Sequence, residues 1–165
     1  MFIQTFSPPP RLFIIGAVHV TQHMLPIARS VGYEPVIIDP RTAFATEERF
    51  GDANLIAKWP QDVLNETLLD SRSALVALTH DPKIDDPAIE LALNNPCFYI
   101  GALGSRRTHG SRVQRLTSRG FDDSQISRIK APIGLNIGAQ GPAEIAISIM
   151  AEITANLRMG KVESS

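Results

Sequence analysis

"LFIIGAVHVTQHMLP" runs from Leu12 to Pro26. A short apolar run meets a glycine, and an amphipathic segment follows. That order reads as a buried strand, a tight turn at Gly16 and a helix. In dinucleotide-binding folds the same turn carries glycines at its first, third and sixth positions. Here those positions hold Gly16, Val18 and Thr21. Gly16 permits the turn, and Ala17, Val18 and His19 lead into helix N–H groups that can bind an anion. Val18 replaces the glycine that lets the backbone approach a pyrophosphate. Asp39 closes the next apolar run, "EPVIID", about 20 residues further on, where an acidic residue accepts hydrogen bonds from a ribose hydroxyl. Arg41 beside it would instead meet a phosphate. A structural glycine turn with a solvated Asp39 is the alternative.

The same alternation continues along the chain. "RLFII", "EPVIIDP", "NLIAKW", "SALVALTH" and "CFYIGAL" read as five strands. Helical patterns separate them, over Val20–Ser30, over Asp62–Leu69 and from Asp86-Pro87, an N-cap residue followed by proline. The segment "GPAEIAISIMAEITANLRMG" is the strongest helix, with Ile145, Ala146, Ile149, Met150 and Ile153 on one apolar stripe. Continuous apolar strands fit a parallel sheet covered on both faces. The expected fold is therefore α/β and Rossmann-like: a doubly wound, mainly parallel sheet with helices on both faces. "SPPP", Ser7–Pro10, is a stiff connector. We read 1–10 as a strand and linker remnant, 11–160 as the Rossmann domain and 161–165 as a tail. Phe2–Phe6 is the candidate remnant strand.

Composition narrows the classes. The chain has 165 residues, 44% of them hydrophobic, and a net charge of −1. One domain with a full core is expected. The charge balance gives no basic excess for nucleic acid. One cysteine, Cys97, excludes an internal disulfide framework or a cysteine-based zinc cluster and suits a reducing compartment. No apolar run is long enough to span a membrane, and "MFIQTFSPPP" lacks the features of a signal peptide. These points predict a cytoplasmic, soluble protein.

Three further stretches carry polar chemistry. In "YIGALGSRRTHGSRVQRLTSRG", Gly101 and Gly104 flank a second turn and Ser105 is an N-cap candidate. Arg106 and Arg107 stand at the helix start, against the helix dipole, and an anionic ligand would explain them. Arg112, Arg115 and Arg119 read as a solvated basic face. In "THDPKIDDP", Thr79, His80 and Asp81 follow a strand's carboxyl end, where doubly wound sheets bind ligands. They could do acid–base work or simply hold the loop. In "APIGLNIGAQGPAEIA", Gly134, Gly138 and Gly141 make an anion-binding loop or a plain connector. His19 and His23 have metal-pair spacing but no third ligand, so no metal site is expected.

The blocks "GAVHV", "VIIDPR", "FATEERF", "LTHDPKIDDPA", "FYIGALGSRRTH" and "APIGLNIGAQGPAEIAISIMAEI" occur in this order. Together, from Pro9 to Leu157, they resemble the C-terminal Rossmann domain of the XdhC/CoxI family. The resemblance implies an accessory protein for molybdenum hydroxylases such as xanthine dehydrogenase. Such a protein binds molybdenum cofactor of the molybdopterin type, protects it during sulfuration and passes it to the apoenzyme. It implies a non-enzymatic cofactor chaperone with no catalytic residues, whose partners are the apoenzyme and a cysteine desulfurase, with a homodimer as a further option. The family turn reads Gly-Ala-Gly-His; His19 matches it and Val18 departs from it. The family's N-terminal domain is absent from this sequence, which points to a stand-alone form. The alternatives are an NAD(P)-dependent oxidoreductase and a nucleotide-responsive regulatory subunit.

Overall fold

The computed structural model describes residues 7–160. The expected remnant strand over Phe2–Phe6 and the tail 161–165 lie outside them. Thirteen elements follow in order. They are β1 (Arg11–Ile15), α1 (His19–Ser30), β2 (Glu34–Ile38), α2 (Glu47–Phe50), β3 (Asn54–Ile56), α3 (Pro60–Leu64) and β4 (Ser73–Ala77). Then come α4 (Pro82–Leu93), β5 (Tyr99–Ala102), α5 (Arg106–Ser118), α6 (Asp123–Ile126), β6 (Ile129–Lys130) and α7 (Gly141–Met159). The strands form one sheet in the order β3-β2-β1-β4-β5-β6, all parallel. The order reverses between β1 and β4, which opens a crevice beyond their carboxyl ends.

Alternate residues of each central strand feed two cores. Leu12, Ile14, Ala74 and Val76 pack with Met24 of α1 and Ile149 and Ile153 of α7. Phe13, Ile15, Leu75 and Ala77 pack with Ile89 of α4 and Leu116 of α5. Every residue of β4 is buried. A strand apolar on both faces is what a sheet covered by helices on both sides demands.

Two expected helices are corrected. The helix over Asp62–Leu69 is instead Pro60–Leu64; the Thr67 hydroxyl donates to the Val63 carbonyl at 2.7 Å and closes its last turn. The helix expected from Asp86-Pro87 starts at Pro82, capped by Asp81. The dipeptide Asp81-Pro82 carries the same start signal one turn earlier, and its cap bond, Lys83 N–H to the Asp81 carboxylate at 3.0 Å, is formed. The sixth strand, two residues long, carries no sequence signal.

The segment between β6 and α7 is held at both ends. Glu152 of α7 accepts from the Tyr99 hydroxyl at 2.5 Å and from the Gly134 N–H at 2.9 Å. The Gln140 N–H donates to the Glu144 carboxylate at 2.7 Å. Gly134 has φ +92°, and a Cβ there would collide with the Ser148 Oγ. Gly120, at φ +95°, faces open space. Gly134→Ala combines overpacking with backbone strain and is predicted to destabilise by roughly 2–4 kcal/mol. Gly120→Ala carries only the strain, about 1–2 kcal/mol. Urea unfolding of the two variants checks this; equal losses would mean that the Ser148 contact does not hold the loop.

Candidate functional site

The first glycine turn is built as expected, but its polar groups are spent on the chain itself. Gly16 takes φ +126°. Asp39, at the end of β2, is fully buried. Its carboxylate accepts from the Ala17 N–H at 2.8 Å, from the Arg41 N–H and Nε at 2.9 Å, and from Arg41 Nη2 at 2.7 Å. Burial works to raise the Asp39 carboxyl, yet the Arg41 guanidinium and the Ala17 N–H together hold it below its ordinary value. The Arg41 guanidinium lies 4.4 Å from the Phe44 ring centre. Arg49 Nη1 donates to the Ala17 and Phe44 carbonyls, both at 2.8 Å. Asp39 therefore anchors the turn through these bonds. Arg41 is likewise committed to Asp39. Val18 is half-buried and caps nothing with its side chain, and His19 is exposed, its ring beside Gln22.

The loop after β4 is organised by a residue that sequence reading did not single out. Asp85 Oδ1 accepts from the Thr79 hydroxyl at 2.6 Å and the Thr79 N–H at 3.3 Å, and Oδ2 accepts from the His80 N–H at 3.1 Å. This clamp holds His80 at φ +65°, a conformation costly for a residue other than glycine. Thr79 sits beside Gly16, where a Cβ added to the glycine would lie 3.1 Å from Thr79 Cγ2. Asp81 is the cap of α4, its carboxylate accepting from the Lys83 N–H at 3.0 Å. Asp85 itself is 1% exposed, and burial pushes its carboxyl up to about 6 despite the Thr79 bonds. The spacing of Asp81 and Asp85 across one helical turn was the available signal.

The turn after β5 divides the site. Gly101 admits no Cβ, which would lie 2.6 Å from Ile133 Cδ1. Gly104 takes φ +130°, and the Ser105 hydroxyl accepts from the Thr108 N–H at 3.2 Å as the expected cap of α5. Arg106 and Arg107, consecutive and exposed, enter different spaces. Arg106 lines a cavity of about 430 Å³ with Leu103, Ile133, Ile145 and the loop 134–139. Arg107 lines a cleft of about 220 Å³ with His80, Asp85, Thr108, Ser111 and Arg112. The structure thus brings His80, Asp85 and the start of α5 to one rim, but it does not bring the two arginines to one space.

The basic face of α5 is not the solvated face expected. Arg112 is 2% exposed. Arg115 grips Asp86 of α4 through two bonds, at 2.6 and 3.1 Å. Arg119 pairs with Glu90. The acids lie on the neighbouring helix, out of sight in the local sequence. His109, desolvated and beside Arg112, is held below its ordinary value. Cys97 is buried, and burial pushes its thiol up to about 11. Among the described residues no cluster of three metal-ligating side chains forms, and no helix is long and apolar enough to cross a membrane.

The profile of the XdhC Rossmann domain matches residues 12–153. The chain belongs to the XdhC family. It is 36% identical over 154 residues to a probable xanthine dehydrogenase subunit of Bacillus subtilis (strain 168), covering 93% of this chain and 44% of that protein. It is 30% identical over 160 residues to the molybdenum cofactor insertion chaperone PaoD of Escherichia coli (strain K12), covering 97% and 44%. A crystal structure of a xanthine dehydrogenase from Bacillus halodurans superposes with a TM-score of 0.80 at 33% identity, covering 96% of this chain and 46% of that one. The chain spans less than half the length of these relatives. The XdhC assignment accounts for the order of the glycine turns and for the α7 helix as parts of one domain.

Asp85 makes a titration prediction. Its carboxyl is raised from 3.8 to about 6. Between these values the unfolded chain loses the proton while the folded chain keeps it, so stability falls as pH rises through that window. The loss attributable to Asp85 is roughly 2–3 kcal/mol. Asp85→Asn should remove that part of the slope in denaturant titrations from about pH 4 to 7. An unchanged slope would mean that Asp85 is ionised throughout.

Proposed function

We propose that this XdhC-family domain is a maturation factor for a molybdenum hydroxylase of the xanthine dehydrogenase type. On this reading it binds molybdenum cofactor and assists its sulfuration or its insertion into the apoenzyme. Its partners are then that apoenzyme and a cysteine desulfurase. The relatives' names support the maturation role. The observation that carries the binding reading is the 430 Å³ cavity with a guanidinium at its rim. Leu103, Ile133 and Ile145 offer an apolar wall to a planar ring, and Arg106 offers a charge-assisted donor to a phosphate. Such a site holds its cargo without a covalent bond, as reversible delivery requires. The engaged carboxylate of Asp39 weighs against the NAD(P) oxidoreductase alternative, because its hydrogen-bond capacity is already taken.

The test is to incubate the pure protein with released molybdenum cofactor, separate bound from free by gel filtration, and assay the protein fraction for pterin and molybdenum. A charge-assisted hydrogen bond contributes roughly 1.5–3 kcal/mol. Arg106→Ala is therefore predicted to weaken retention about tenfold or more. Arg29→Ala, which removes an exposed pair with Asp52, should leave retention unchanged. Cofactor that never elutes with the wild-type protein would end the binding reading.

A further inference from the structure

We propose that the cleft between the β4–α4 loop and α5 is a separate binding site for a phosphate-type oxyanion, with Arg112 as its fixed cation and Arg107 as its outer clamp. Arg112 is 2% exposed and lines this cleft. Its Nε is buried without a hydrogen-bond partner among the described residues. Its other contacts are long: Nη1 to His109 Nδ1 at 3.4 Å and Nη2 to the Leu103 carbonyl at 3.3 Å. Burying a cation and leaving one of its donors unpaired costs stability. A leucine or methionine would fill the same helical position without that cost. Asp85 and Asp86 favour its charge from a distance without bonding to it, and a ligand that accepts from the guanidinium would supply the missing direct partner.

The surrounding groups select the ligand's chemistry. Arg107, from the first turn of α5, has no carboxylate within ion-pair distance among the described residues, and neither has Arg112. Arg115 also lines the cleft, but its guanidinium is taken by Asp86. Thr108 and Ser111 also line this space, with their hydroxyls bonded to Ser105 and to the Arg107 carbonyl. Asp85 lies in the wall, and its oxygens are turned to Thr79 and His80. Two guanidinium groups beside a space of about 220 Å³ match a compact, multiply charged tetrahedral anion better than a singly charged planar carboxylate. The space is smaller than an ordinary organic-ligand pocket, so it takes the phosphate alone and leaves any organic body outside.

Free phosphate and the terminal phosphate of a larger ligand meet the same donors. Titration of the full chain by calorimetry with inorganic phosphate, glycerol 3-phosphate and acetate separates the cases. Saturable binding of phosphate or its monoester at millimolar concentration or tighter is expected, with acetate about tenfold weaker or more. Tighter binding of the monoester identifies a terminal phosphate as the natural ligand; tighter binding of the free ion identifies phosphate itself. Arg107→Ala, at an exposed position that should leave the fold intact by circular dichroism, should weaken binding about tenfold. Arg112→Lys keeps the charge, loses the planar fork and should weaken it several-fold. Arg29→Ala, at an exposed pair with Asp52, should leave phosphate binding unchanged. No saturable binding, or a loss in Arg106→Ala with none in Arg107→Ala, overturns the proposal. Phosphate binding without cofactor binding would remove only the cofactor-binding reading; cofactor binding without phosphate binding would remove only this site.

Discussion

The parallel pairing of β1 with β4, residue against residue from Arg11↔Ser73 to Ile15↔Ala77, is the constraint on which the rest of the structure depends. It makes both strands central, so each is buried on two faces and is apolar beyond its first residue. It also places the two halves of the sheet back to back, so that the loops after β1 and β4 leave in opposite directions from a common edge. The glycine turns and the β4–α4 loop then gather beyond that edge. The turn at Gly16, the loop at Thr79–Asp81 and the start of α5 are neighbours because of this pairing.

At that edge the first glycine turn is braced by the chain's own side chains. The acidic residue at the end of β2 is present, but Ala17 and Arg41 fill its hydrogen-bond capacity. Arg49 braces the same turn from the other side. A buried carboxylate with four hydrogen bonds is a structural part, and taking it apart to admit a ribose would leave charge unpaired. Arg106 and Arg107, without an ion-pair partner among the described residues, lie one loop further along, at α5. There a helix start that would ordinarily attract acids carries two arginines, and the helix geometry turns them to different sides.

The α4–α5 contact explains why the basic face of α5 is tolerated. Asp86, 1% exposed, is satisfied by Arg115, and Glu90 by Arg119. Asp85, its neighbour in sequence, points the other way and clamps the loop that holds His80 in a left-handed conformation. Three acids on one helix thus do two jobs: Asp86 and Glu90 hold α5, and Asp85 holds the β4–α4 loop. Arg112, with a donor left over among the described residues, borders the cleft.

Much of the architecture was already legible in the sequence. Strand–helix alternation, the long apolar stripe of α7 and the glycines at 16, 101 and 104 determined an α/β parallel fold and the edge at which its site would lie, because apolar periodicity and backbone freedom are local properties. The motif blocks determined the family. Helix boundaries were less legible where two Asp-Pro signals competed, since only a formed cap bond chooses between them. The tertiary structure alone decided what the charged residues do. Asp39 became an anchor when Arg41 folded back on it, and Arg115 and Arg119 became ion pairs when α4 came alongside α5. Arg106 and Arg107, adjacent in the chain, were separated by about 100° of helical rotation. Charge partnership depends on distances across elements, which no local pattern encodes.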